Sequence, residues 1–218
     1  VERLKLGVLA SGRGSNFQAI IDAIEAKTLN ATVKLLIVDN SDAPAIARAR
    51  KNSIECLYVD HRQFSTKDDF FEKIASEFTA RNVQLVILAG FMRIVRKPLL
   101  EAFPNRLMNI HPALLPSFPG LHGQSQATDY GVKISGCTVH FVDGGMDTGP
   151  VIIQAAVPVS PDDTEDTLSE RILKLEHKVY PEAVRLYSEG RLKVVGRRVL
   201  IEGYAVQDEQ YIVNPPLR

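Results

Sequence analysis

Neither sign of charge dominates this chain of 218 residues: Lys and Arg together number 26, and so do Asp and Glu. A balanced chain offers no basic field for wrapping nucleic acid, which argues against a polyanion-binding module. Cysteine is nearly absent. Its two copies, Cys56 and Cys137, stand far apart and in no metal-ligand spacing, so a disulfide scaffold or structural zinc site is not expected, and packing is the simplest role for both. No apolar run approaches the roughly 20 residues of a membrane helix. The opening VERLKLGVLA reads as a strand and lacks a signal-peptide pattern. The expectation is a cytoplasmic protein with no membrane and no nucleic-acid partner. Repeats, low-complexity tracts and clear linkers are also missing, which favours one domain. What remains, 45% hydrophobic and 24% charged, is the composition of an ordinary globular domain.

The first hundred residues alternate short apolar runs with helical patterns. Leu4–Ala10, Val33–Val38, Ile54–Val59 and Val83–Ala89 read as strands. Between them Phe17, Ile20, Ile21 and Ile24 recur at helical spacing, Asp42-Ala43-Pro44 opens a second helix, and Lys67–Ala80 forms a third. This rhythm predicts an α/β fold with a doubly wound, mostly parallel sheet. After a strand over Arg106–His111 the pattern changes. Val132–Val142 and Val151–Pro158, joined by the Gly-rich turn Asp143–Pro150, predict antiparallel C-terminal additions. A long helix follows, with Leu168, Ile172, Leu175, Val179, Ala183 and Leu186 as its buried seam and Gly190 at its end, then a small hairpin over Leu192–Tyr204.

Asn109-Ile110-His111-Pro112 is the most informative stretch. On a strand, Asn109 and His111 face one side and Ile110 the other. Pro112, Pro116 and Pro119 then stop the strand and stiffen the loop after it. An amide that can hold an oxyanion beside a proton-carrying imidazole suits acyl or formyl transfer, although an Asn in a strand also commonly satisfies a neighbouring loop. The turn Ser11-Gly12-Arg13-Gly14-Ser15-Asn16 follows the first strand. It either cradles a phosphate on its backbone amides or is a tight turn with Ser15 as the helix N-cap. It is not the dinucleotide fingerprint, because Phe17 takes the place of the third glycine. The loop Asp143–Pro150 is a hairpin turn or a cation loop, and its oxygen spacing is wrong for calcium. Asp147, if brought beside His111, would favour a charged imidazole. Glu176 lies at the edge of the long helix's seam, where such a residue is usually solvated. Among the other histidines, His61 reads as surface, His177 as solvated or helix-packing, His122 as evenly balanced between a functional and a structural role, and His140 as a satisfied structural residue.

Taken together, the Ser11–Asn16 turn, Ala89–Ile94, Asn109–Pro112 through Pro119–His122, Thr138–Val142 through Asp147–Pro150, and Glu176-His177 with Tyr180-Pro181 closely resemble the phosphoribosylglycinamide formyltransferases, folate-dependent enzymes of purine synthesis. The resemblance runs from about Lys5 to Val194. It implies a Rossmann-like fold and a transferase domain over residues 1–195, with a phosphate-binding half to about residue 100, a folate and catalytic half from 101, and an extension of hairpin and tail over 196–218. It implies that Asn109, His111 and Asp147 are catalytic. Gly14, Ser15 and Asn16 would grip the ribonucleotide phosphate, and Glu176 its ribose or glycinamide end. Met92, Arg93, Ile94 and Val95 would line the folate site, and the backbone of Val142, Asp143, Gly144, Gly145 and Met146 would read the pterin. The co-substrate would be 10-formyltetrahydrofolate and the acceptor glycinamide ribonucleotide, with no metal, because an amine is already a competent nucleophile. The state, monomer or homodimer, stays open.

Three rival readings differ from this one in what they require. A methionyl-tRNA formyltransferase would bring a further domain and a basic surface for RNA. A formyltetrahydrofolate hydrolase would have no need of the Ser11–Asn16 turn. A non-catalytic nucleotide- or folate-binding module would have no need of Asn109, His111 and Asp147 together.

Overall fold

Strand β1 (Leu4–Ala10) is an interior strand of the sheet: five of its seven residues are buried and both its faces are covered. The structure is a computed structural model, and it describes residues 2–205 and Asn214. Helix α1 (Ser15–Glu25) and β2 (Ala31–Val38) follow, then α2 (Ala45–Lys51), β3 (Cys56–Tyr58), α3 (Lys67–Ala80) and β4 (Leu85–Leu88). Next come α4 (Lys97–Ala102), β5 (Leu107–His111), α5 (Gly123–Tyr130), β6 (Ile134–Phe141) and β7 (Val151–Pro158). The described residues end with α6 (Glu165–Ser188) and the strands β8 (Leu192–Val195) and β9 (Arg198–Ile201).

Among the described residues these strands form one sheet in the order β3-β2-β1-β4-β5-β6-β7-β9-β8. From β3 to β5 every pairing is parallel, whereas β6 is antiparallel to both β5 and β7. The doubly wound, mostly parallel sheet with antiparallel additions is therefore present. The strand order reverses at β1 and β4, and a crevice opens above their carboxyl ends, where such folds bind ligands.

Two apolar layers flank the sheet. One packs Phe17, Ile20 and Ile21 of α1, Ala45 and Ala49 of α2, and Leu168, Ile172 and Tyr180 of α6 on Leu6, Val8, Ile87, Met108 and Val139. The other packs Phe70, Phe71, Ile74 and Phe78 of α3 and Leu99 of α4 on Leu9, Leu35, Val86 and Leu107. This second layer takes no buried residue from β6 or β7, so the same face of β5 and β6 is left to loops. That opening is where Asn109 and His111 point.

Several expectations shift in detail. The third strand is only three residues long. Helices α4 and α5 were not foreseen: the first spans six residues, and the second (GQSQATDY) has too few apolar positions to show a period. The expected boundary between residues 195 and 196 falls within the β8–β9 hairpin. Of the expected tail, residues 206–213 and 215–218 lie outside the described residues. Among the described residues no helix is long and apolar enough to cross a membrane.

Candidate active site

The turn after β1 delivers the chain into α1 through Gly14, whose φ of 65° is left-handed and whose absent Cβ leaves room for Ala45, 2.8 Å from where a Cβ would sit. Gly14, and not Ser15, is the N-cap, and no side chain caps this end. The first amides of α1 are thus left to whatever enters the crevice. Ser11 ties the turn to the neighbouring strand end: its N–H donates to the Gly90 carbonyl at 3.0 Å and its Oγ accepts from the Met92 N–H at 3.0 Å.

Asn16 points inward from α1 and meets Glu176 of α6. Its Nδ2 donates to Glu176 Oε2 over 2.7 Å, and both residues are buried. The expectation of a solvated Glu176 is corrected, because α1 packs over it. Burial raises the Glu176 carboxyl above the ordinary carboxylate range, with the Asn16 amide pulling the other way. Asn16 Oδ1 is buried with no hydrogen-bond partner among the described residues, an acceptor that a ligand hydroxyl or amide would satisfy.

Asn109 and His111 stand on the loop-covered face of β5, with His140 opposite Asn109 in the β5–β6 register. His140 Nδ1 bonds the Phe141 carbonyl at 2.8 Å, so that nitrogen carries the proton and Nε2 keeps its lone pair. Asn109 Nδ2 donates to that Nε2 at 3.2 Å. Burial holds the His140 imidazole below its ordinary value, which keeps it neutral and able to accept. One Nδ2 proton of Asn109 is thereby fixed and the second is left for another acceptor. The reading of His140 as a satisfied structural residue holds, but its link to Asn109 was missed. Only the strand register reveals it.

His111 is buried and engaged at both nitrogens. Nε2 donates to the Phe118 carbonyl at 2.8 Å, and Nδ1 lies 3.5 Å from Asp147 Oδ2. The same carboxylate accepts the Gly120 N–H at 2.8 Å, and its other oxygen is 3.8 Å from His140 Nε2. The loops before α5 and after β6 therefore meet over His111. Three non-glycine residues in these loops, Phe118, His122 and Asp147, have φ between 53° and 60°, and such strain is typical of functional segments. Asp143, in contrast, turns its Oδ1 to Gly145 N–H and Thr148 Oγ–H, so it builds its own loop. Among the described residues no group of three or more His, Cys, Asp and Glu side chains is placed to hold a metal ion.

After β4, Met92 and Ile94 are exposed, whereas Val95 is buried in the second layer. The Arg93 guanidinium is turned to Asp39, with Nε at 2.5 Å from Oδ2, and its Nη2 donates to His61 Nδ1 at 2.8 Å. Of the four residues expected to line a folate site, only Met92 and Ile94 present apolar side chains to solvent. Met146 and Leu121 are also exposed. Exposed apolar groups can mark a ligand-binding surface. A cavity of about 620 Å³ lies on the outer side of α1 against Gln18, Asp22 and His177; it includes Ser15 but none of Asn109, His111 and Asp147. His177 is half-buried there, and burial lowers its titration. Burial disfavours the thiolate at both cysteines, pushing Cys56 up and Cys137 up to about 12.

A sequence model of the formyl transferase family matches residues 4–184. The phosphoribosylglycinamide formyltransferase of Bacillus subtilis is 41% identical over 181 residues, covering 83% of this chain and 93% of that protein. The trifunctional purine biosynthetic protein adenosine-3 of Drosophila melanogaster is 45% identical over 190 residues, 86% of this chain. The chain spans only 14% of that protein's length. Among solved structures, glycinamide ribonucleotide transformylase 1 of Symbiobacterium toebii superposes with a TM-score of 0.91 at 50% identity, covering 92% of this chain and 94% of that one.

Proposed function

This chain belongs to the formyl transferase family, and from that premise we propose that it transfers the formyl group of 10-formyltetrahydrofolate to the amine of glycinamide ribonucleotide, a step of purine biosynthesis. The observation that carries the reading is the presence of two distinct polar subsites at the carboxyl ends of β1 and β5. A turn with uncapped helix amides and the Asn16–Glu176 pair sit at β1, and an amide, an imidazole and a carboxylate converge at β5, beyond the intervening β4. A substrate with a phosphate at one end and a nucleophile at the other fits such a pair. Relatives that carry this activity by name support the choice.

In this reading the amides of Gly14, Ser15 and Asn16 hold the phosphate at the helix N-terminus, and Glu176 contacts the ribose or glycinamide end. Met92 and Ile94, with the backbone of Arg93, Val95 and Val142 to Met146, form the folate site. The substrate amine attacks the formyl carbon. Asn109 donates its free Nδ2 proton to the oxygen as charge builds there, and one such donor is typically worth roughly 2.7–4 kcal/mol. As the bond from carbon to the folate nitrogen breaks, His111, its Nε2 exchanging the Phe118 carbonyl for the substrates, supplies a proton to that nitrogen and receives the one lost by the amine. Proton transfer of this kind typically contributes about 10²–10⁴-fold. Asp147 orients the imidazole and stabilises its charged form. The products are the formylated ribonucleotide and tetrahydrofolate. A cytoplasmic location is part of this reading and rests on the substrates it names.

The deciding experiment mixes the protein with 10-formyltetrahydrofolate and follows deformylation spectrophotometrically, with and without glycinamide ribonucleotide. Deformylation that depends on the ribonucleotide, with formylated product recovered, is the expected result. Loss of formyl to water regardless of the ribonucleotide makes the protein a hydrolase, and no turnover leaves a binding module.

A further inference from the structure

Three successive carbonyls of the turn after β1 are engaged in hydrogen bonds to α1 and α2. Gly12 O accepts from the Ala45 N–H at 3.2 Å, Gly14 O from the Gln18 N–H at 3.0 Å, and Arg13 O from Arg48 Nε at 2.9 Å. The first two are backbone contacts that any sequence could make. The third depends on one side chain. Arg48, on α2, is itself fixed, since its Nη1 donates to Gln18 Oε1 at 3.2 Å.

A peptide group is planar, with its C=O and N–H pointing in opposite directions. The direction of the Arg13 carbonyl therefore sets that of the Gly14 N–H. Gly14 has little steric resistance to rotation of this peptide, and a flip would turn a carbonyl oxygen toward an incoming phosphate. Arg48 prevents this by holding the Arg13 oxygen toward α2, and it also places a permanent positive charge behind the turn.

We propose that Arg48 is a positioning residue for the phosphate of the substrate, one that locks the Arg13–Gly14 peptide with its N–H toward the anion and thereby favours phosphorylated over unphosphorylated acceptors. The proposal rests on the phosphate role given above to Gly14–Asn16. It predicts that Arg48 acts on one end of one substrate and leaves folate recognition alone.

The test compares wild type with Arg48→Gln and Arg48→Lys in two assays. In steady-state kinetics, Arg48→Gln raises the ribonucleotide KM roughly ten-fold, the scale of losing a charged hydrogen bond to a backbone acceptor, while the folate KM stays within experimental error. In calorimetric titration with ribose 5-phosphate, the dissociation constant rises by a similar factor. Arg48→Lys keeps the charge but not the fork, and falls between the two proteins in both assays. Ribose 5-phosphate binding that is unchanged in a folded Arg48→Gln protein, or equal rises in both KM values, overturns the proposal. If Arg48→Gln does not fold, Arg48→Lys decides alone, and binding equal to wild type overturns it. The titration needs no turnover, so it reads Arg48 even if the transferase assignment fails; wild-type protein that binds no ribose 5-phosphate refutes the phosphate role itself.

Discussion

Asn16 and Glu176 are 160 positions apart in the sequence and share a buried hydrogen bond of 2.7 Å. A carboxylate kept this dry is unfavourable to the fold when it ionises. Its folded titration is raised above the ordinary 4.5, so the native state holds the proton more tightly than the unfolded chain does. The stability it contributes is full below 4.5 and is lost as pH rises through the folded value.

Glu176→Gln keeps an oxygen for the Asn16 amide and removes the charge. The variant is expected to be more stable than wild type at neutral pH, with the advantage shrinking as pH falls toward 4.5. Its ribonucleotide KM rises. Urea denaturation across pH checks the first claim and steady-state kinetics the second; a variant less stable than wild type at neutral pH would falsify the account of Glu176 as a functional residue held at a cost in stability.

His140 gives a prediction of the opposite sign. Its folded titration lies below the ordinary 6.5, so the unfolded state takes up the proton first as pH falls. The stability it contributes is present above 6.5 and is lost as pH falls below that toward the folded value. His140→Phe flattens this acid slope. It also frees the Asn109 amide, and kcat is expected to fall roughly ten- to a hundred-fold, a part of the value of an oxyanion donor. His140→Gln, which can still accept from Asn109, recovers some of the loss. Equal kcat in wild type and the Phe variant would show that Asn109 needs no orienting partner.

Asp147 serves two masters through one oxygen, His111 Nδ1 at 3.5 Å and the Gly120 N–H at 2.8 Å. Asp147→Asn can still accept from Gly120 but loses the charge, whereas Asp147→Ala loses both. Each is expected to lower kcat by about 10²-fold or more, within the range for acid–base catalysis. Only the Ala variant should speed hydrogen exchange at Gly120. Faster exchange in both variants would mean that charge, and not the hydrogen bond, holds the two loops together.

Much of this was legible from local pattern. The 67–80 helix carries its own capping box, Thr66 with Asp69, and its expected bounds match those of α3. Strand β1 is a run of alternating and then continuous apolar residues, and its bounds match too. The Asn109/His111 pair was visible as an alternation on a strand. What stayed hidden depends on partners far away in sequence. Glu176 looks like an edge residue until α1 is laid over it. The Asn109–His140 contact exists only in one register of β5 against β6. The cap at Gly14 was hidden because Ser15, with its hydroxyl, is the better cap by chemistry, while the backbone needed a left-handed residue one place earlier.

Tyr180 shows how the scaffold reaches the reacting groups. It lies one turn beyond Glu176 on α6, is fully buried, and its hydroxyl stands 2.9 Å from the Leu88 carbonyl and 2.7 Å from the Met108 carbonyl. Burial raises the phenol well above its ordinary value, so it is a neutral donor. These carbonyls belong to neighbouring strands, and Met108 immediately precedes Asn109. Tyr180→Phe leaves the ring's packing intact and removes only the hydroxyl, so its cost is that of buried acceptors losing a donor, about 1–3 kcal/mol. The urea midpoint should fall accordingly with the slope unchanged, since the surface exposed on unfolding is the same. Because the hydroxyl also fixes α6 against the strand bearing Asn109, kcat and the ribonucleotide KM should both worsen while the folate KM does not. A loss of stability with all kinetic constants intact would confine Tyr180 to the core and separate the register of α6 from the geometry of the site.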